Sequence, residues 1–176
     1  MSATWTSTSL PYLLPRAAGQ TDAWSEESAK TQGTQDLLSA EEAEAPENVA
    51  EMLSIAAGDR VVSRRRLMRL GDVPVELVTS YYPLRIAAGT ALAEPRKIRG
   101  GAPTLLANLG HRTSRVVEDV ESRAPTAAEA SALGIGEEES VLVLSRITFT
   151  HDNQPVEVSV MVMRSGRRLR YEIEVD

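Results

Sequence analysis

The sequence predicts an α+β domain, a mainly antiparallel sheet flanked by short helices. Three observations carry this reading. Four segments have strand length and strand composition and are broken by polar turns: "RVVSRRRLMRL", "VELVTSYYP", "ESVLVLSRITFT" and "VEVSVMVMRS". Two others, "PENVAEMLSI" and "PTAAEASALGI", open on proline and read as short helices. These pieces also recur in a fixed order. A proline-led helix, a strand with Ser-Arg, a polar turn and a Pro-Val-Glu strand occur twice, with Ser63-Arg64 matched by Ser145-Arg146. Two hairpins built alike pack through equivalent faces, giving one sheet with pseudo-two-fold character.

Residues 1–33 read as a tail or linker, rich in Ser, Thr, Gln and Ala, with Trp5, Tyr12 and Trp24 as residues through which it can dock. Residues 34–176 form the domain. Pro46–Ile55 places Val49, Met52 and Leu53 on one helical face, and "AAGD" stops it. Strands follow at Arg60–Leu70 and Val75–Pro83, joined by "GDVP". Tyr82–Pro95 reads as a loop with a short helix, Glu94–Gly101 as a basic loop ending in glycine, and Ala102–Gly110 as a short helix. Val116, Val117 and Val120 mark a further strand. After the repeated unit, "GRRLRYEIEV" closes the chain as a strand alternating Leu169, Tyr171, Ile173 and Val175. Pro74 and Pro155 suit strand starts, where a missing N–H is tolerated.

At 176 residues and 42% hydrophobic, the chain supports one core. A net charge of −6 argues against nucleic-acid binding by the molecule as a whole. The absence of cysteine excludes disulfides and thiolate zinc sites, and His111 and His151 are too few for a histidine-rich metal site. No metal and no cofactor is expected. With no apolar run of membrane length and no signal peptide, the expected location is cytoplasmic, away from membranes.

The two glutamates of the repeated phrase are candidate chemistry. Alternation puts Glu76 with Val78 and Ser80, and Glu157 with Ser159 and Met161. A carboxylate facing inward needs an arginine or a ligand as partner. Glu157 is expected to face a ligand, and Glu76 to be structural, pointing outward to a cross-strand arginine.

The helix, the arginine-bearing strand, the turn before "PVEL" and the later "PVEVSVMVM" resemble a UTRA domain, the effector-binding half of GntR/HutC-class bacterial transcription regulators. "TSLPYLLPR" is similar to the linker preceding such domains. The resemblance implies a chorismate-lyase-like fold with a small-molecule pocket, and dimerisation through this domain. It implies that Arg66, eight residues before Pro74, takes the first ligand-holding arginine position and that Met68 takes the second. Thr104 stands where the family's sugar-phosphate sensors have the serine of a Ser-x-Tyr, and Glu157 fits the late glutamate. With half of that polar set apolar here, the expected ligand is less charged and more hydrophobic than a sugar phosphate. The winged helix–turn–helix of complete regulators has no counterpart here, so the chain is expected not to bind DNA alone.

The expected binding residues are therefore Arg66, Thr104 and Glu157, with Arg99 on the glycine-ended loop as an anion contact, Tyr82 as a pocket-lining residue, and Met68. Two functions stand open. One is a stand-alone ligand-binding sensor or partner to a full-length regulator. The other is a cofactor-free lyase, isomerase or cyclase in which Glu157 or Glu76 moves a proton and Arg66 holds a substrate carboxylate.

Overall fold

The computed structural model of the protein describes residues 5–17, 19–29 and 32–172. Among the described residues there are eight strands: β1 (Trp5–Ser7), β2 (Gly33–Glu44), β3 (Arg60–Leu70), β4 (Val73–Pro83), β5 (Arg115–Arg123), β6 (Val141–Phe149), β7 (Pro155–Met163) and β8 (Arg167–Leu169). Five short helices accompany them: α1 (Ala23–Glu27), α2 (Glu47–Met52), α3 (Leu84–Ala87), α4 (Gly101–Asn108) and α5 (Ala127–Leu133).

Six strands form one antiparallel sheet in the order β2-β3-β4-β7-β6-β5, while β1 and β8 pair in parallel apart from it. The order mirrors about the β4–β7 seam. Each half is a strand, a helix and a hairpin, which is the repeat legible in the sequence. The seam carries the symmetry to side chains: Arg64 lies opposite Ser80, Ser80 opposite Ser159, and Ser159 opposite Arg146.

Because strand side chains alternate between faces, the sheet has two differently covered sides. On one, α2 lays Val49, Ala50 and Leu53 over Val61 and Val158, and α5 lays Leu133 over Leu67, Leu77 and Val162. The helices start differently. Thr126 caps α5 through a full capping box with Glu129, whereas Pro46 opens α2 with no side-chain cap. Gly134 ends α5 at φ 63°, a left-handed position that a β-carbon would disfavour. On the other side, Ile86, Leu92 and Leu106, from α3, the loop after it and α4, pack on Val62 and Tyr82. Trp24 of the N-terminal segment packs on Met68, Val78 and Met161.

Two features depart from expectation. β2 is a twelve-residue strand where the sequence suggested none, because its acidic C-terminal half obscures an inside–outside alternation. The closing strand is short: β8 ends at Leu169, and Tyr171 is exposed beyond it. Ile173, Val175 and the side chain of Trp5 lie outside the described residues.

Candidate functional site: a pocket under the N-terminal segment

The second face of the sheet floors a cavity that opens to solvent at its mouth. The floor comes from β3, β4, β7 and β6. Residues 11–16, α1 and the Gly100–Pro103 entry to α4 make the walls. The N-terminal segment is therefore part of the site. It is held there by Arg16 N–H donating to Thr104 Oγ1 (2.9 Å), by Trp24 Nε1 donating to the Thr34 carbonyl (2.9 Å), and by Ser9 Oγ donating to Glu118 (2.9 Å).

The floor is ordered in rows across the strands. One row holds Arg64, Ser80, Ser159 and Arg146. The next holds Arg66, Val78, Met161 and Leu144, and the one beyond it Met68, Glu76, Met163 and Leu142. On the other side of the serine row lies Glu157, opposite Thr148. The floor thus runs from polar to apolar, with Trp24 over the apolar part.

Most charges lining the cavity are already committed. Arg64 donates to the carbonyls of Ala91, Leu92, Glu94 and Arg96 at 2.7–3.2 Å, so it braces the loop over the pocket. Burial lowers its pKa, though a guanidinium keeps its charge at any physiological pH. Arg146 Nε donates to Glu118 (2.6 Å). Burial pushes the Glu118 carboxyl up, but Arg146, Ser9 and Tyr171 outweigh this and leave it below the usual range. Arg16 pairs with Glu26 (2.6 Å) and Asp22 with Lys97 (2.8 Å).

Glu76 faces the cavity, not solvent. It is 6% exposed and lies 3.3 Å from Arg167. Burial raises its pKa, and the nearby Arg167, Arg66 and Arg146 charges do not cancel that rise. The outward orientation expected from sequence is corrected here, since Glu76 lies with Val78 and Ser80 on the pocket face, where its arginine partner is Arg167 of β8.

Arg66 and Glu157 are differently placed. Arg66 Nη2 donates to Ser80 Oγ (3.0 Å), and its buried Nε has no acceptor. Glu157 Oε1 accepts from Tyr82 Oη (2.9 Å) and Ser159 Oγ (2.8 Å). The hydroxyls of Ser80 and Ser159 are 2.7 Å apart. Tyr82 is 1% exposed, and burial with the Glu157 charge holds its phenol far above the ordinary value.

Of the residues singled out from sequence, Arg66, Met68, Tyr82 and Glu157 come together on the floor. Thr104 does not line the cavity. Its hydroxyl donates to the Gly100 carbonyl (2.8 Å) and accepts from Arg16 N–H, so it anchors the wall. Arg99 is exposed outside the lining. Sequence reasoning missed Arg146, Ser159 and Trp24 as lining residues. The Ser-Arg repeat was the available signal for Arg146, since a row symmetric about the seam places it opposite Arg64. Among the described residues no cluster of His, Asp or Glu suited to a metal occurs, and no helix is long and apolar enough to cross a membrane.

Residues 29–167 match the UTRA domain. The chain belongs to the UTRA family. It is 32% identical over 129 residues to the uncharacterized HTH-type transcriptional regulator SCO4628 of Streptomyces coelicolor, covering 72% of this chain and 48% of that one. It is 31% identical over 138 residues to the HTH-type transcriptional regulator Rv0792c of Mycobacterium tuberculosis, covering 75% of this chain and 49% of that one. The chain thus spans about half the length of the curated relatives it matches. Among solved structures, a GntR-family transcriptional regulator superposes with a TM-score of 0.79 at 28% identity, over 92% of this chain and 67% of that one. The effector domain of PhnF from Mycobacterium smegmatis shares the fold at a TM-score of 0.73 and 19% identity, over 92% and 99% of the two chains. The UTRA architecture is thus an α+β, chorismate-lyase-like sheet with the internal repeat described above. The UTRA match begins after α1, so the pocket's N-terminal wall precedes the matched region.

Proposed function

We infer that this UTRA domain binds a small metabolite of largely apolar body in the cavity beneath its N-terminal segment, and signals occupancy to a DNA-binding regulator inside the cell. The observation that carries this reading is the build of the floor. Arg66 presents a buried N–H with no acceptor, beside a patch of Val78, Met161 and Trp24. A buried donor left unpaired costs about 1–3 kcal/mol, which an occupant relieves. The named relatives are transcriptional regulators, which supports placing the readout in gene control. A homodimer, or pairing with a full-length regulator, would deliver the signal.

The test incubates the purified protein with a bacterial metabolite extract and reads retained adducts by native mass spectrometry. The expected outcome is an adduct of unchanged mass on the wild type that is lost from Arg66→Met. Catalytic disappearance of a metabolite would instead favour the enzyme reading, with Glu157 and Arg66 as its groups. No adduct and no turnover would overturn both.

A further inference from the structure

We propose that Arg146 of β6, presented by Glu118, is a head-group contact of the pocket, and that the occupant carries a carboxylate there at one end of its apolar body. The proposal rests on the pocket reading above and adds the chemical class of the occupant and the residue that selects it.

Arg64 and Arg146 end the same row of the floor, on opposite sides of the β4–β7 seam, and meet different partners. Both terminal nitrogens of Arg64 are spent. Its Nη1 donates to the carbonyls of Ala91, Leu92 and Glu94, and its Nη2 to that of Arg96. Arg146 is buried too, but its one hydrogen bond runs from Nε to Glu118 Oε1 at 2.6 Å. Its Nη1 and Nη2 donate to no described residue, and the side chain lines the cavity.

Glu118 lies directly opposite Arg146 on the neighbouring strand β5. Its second oxygen is taken up elsewhere, accepting from Ser9 Oγ (2.9 Å) and Tyr171 Oη (3.0 Å). The pair therefore does not close into the two-bond fork that arginine and carboxylate otherwise favour. A guanidinium has a second edge, and Nη1 and Nη2 keep theirs for another acceptor. Anchored at Nε, that edge is also fixed in direction, so binding there costs little ordering. Two parallel N–H groups match the two oxygens of a carboxylate. A phosphate would bring a second negative charge close to the Glu118 carboxylate.

The apolar body follows from the next row. It brings Met161 and Val78 into the cavity, with Trp24 packed on both. At about 3.3 Å per residue the two rows are about 7 Å apart. An acid whose apolar body begins one or two carbons beyond its carboxylate spans that gap.

The probe is 3-phenylpropanoate, compared with 3-phenylpropanamide and 2-phenylethylphosphonate by calorimetry at pH 7 on the full chain. The expected result is that the carboxylate binds at least about tenfold tighter than the amide, and tighter than the phosphonate. Arg146→Gln should reduce the preference over the amide to about threefold or less. Arg146→Lys should do the same, and it leaves Glu118 a cation, which guards against a merely unfolded glutamine variant. Arg66→Met should weaken carboxylate and amide alike and keep their ratio. Binding of none of the probes, equal binding of carboxylate and amide, or tighter binding of the phosphonate would overturn the proposal. So would a preference that survives both Arg146 variants or disappears in Arg66→Met. A retained extract adduct alongside any of these results would leave the pocket reading standing, and loss of the adduct would remove that reading too.

Discussion

Glu76 and Glu157 occupy the same place in two copies of one phrase, yet the fold sends them to opposite ends of the pocket floor. Glu76 lies in the row of Met68 and Met163 and meets Arg167 from the C-terminal segment. Glu157 lies beyond the serine row, opposite Thr148, with Tyr82 and Ser159 on one oxygen. At about 3.3 Å per residue along a strand, the two rows are about 20 Å apart. The cause is strand direction. β4 and β7 run antiparallel across the seam, so residues equally near the start of each strand end up far apart. Equal sequence context thus yields one glutamate paired with an arginine of the C-terminal segment and one whose Oε2 receives no hydrogen bond from a described residue. The halves differ in their helices as well, since α5 has a capping box and α2 has none.

The sharpest way to break this comparison is to remove Arg167. Arg167→Leu leaves the buried Glu76 without its cation, and the expected loss is about 3 kcal/mol in urea denaturation. That figure stands at the low end for broken buried pairs, because a carboxyl can take up a proton instead of remaining charged. The double variant Glu76→Met with Arg167→Leu should recover most of the loss, since apolar replacement of both partners removes the buried charge. If Arg167→Leu proves harmless, Glu76 is not held by this pair.

The second prediction concerns pH. The folded state holds the Glu76 proton more tightly than the unfolded chain does, because its pKa is raised above 4.5 by burial. Stability should therefore fall as pH rises from 4.5 through the raised value, by at most about 1.4 kcal/mol per pH unit. Glu76→Gln should flatten that slope. Denaturation midpoints measured from pH 4.5 to 8 on the wild type and this variant decide it.

The third prediction compares the helix starts. Thr126→Ala should cost about 1 kcal/mol through the lost cap, and Pro46→Ala less than about 0.5 kcal/mol. Hydrogen bonds from Arg123, against a smaller opposing effect of burial, lower the Glu129 pKa to about 2. Its share of stability is fully present above 4.5 and is lost as pH falls toward 2. Urea denaturation of both variants at pH 7 measures the two costs. An equal cost for the two substitutions would erase the distinction between the halves.

The smallest stability effect is expected at Glu157. Glu157→Gln keeps an acceptor for Tyr82 and Ser159, so thermal stability should move by less than about 0.5 kcal/mol, while adduct retention from a metabolite extract is lost. A large fall in stability with binding intact would make Glu157 the structural copy and reverse the comparison.

The particular residues show how far the sequence reaches. Alternation along "RVVSRRRLMRL" and "VEVSVMVMRS", the proline-led helices and the repeated phrase were enough for the sheet, its hairpins and its pseudo-symmetry, because local periodicity decides which face a side chain takes. Arg66, Met68 and Glu157 were legible as cavity-lining residues through the family's pattern, and Tyr82 through strand alternation. The strand β2 was not, because "EEAEA" carries too few apolar residues to display its period. Nor could spacing reveal that Thr104 anchors Arg16, or that the segment read as a linker supplies Trp24 to the site, since both contacts join residues far apart in the chain.

The sequence by itself determined the two helix–hairpin units and their order. Only the tertiary structure decided what each charge meets. Arg64 met four carbonyls, Arg146 met Glu118 and Glu76 met Arg167, while Arg66 and Glu157 were left facing the cavity. The physical reason is range. Periodicity acts over a few residues, whereas the cost of a buried charge is settled by whichever distant group the fold brings within about 3 Å of it.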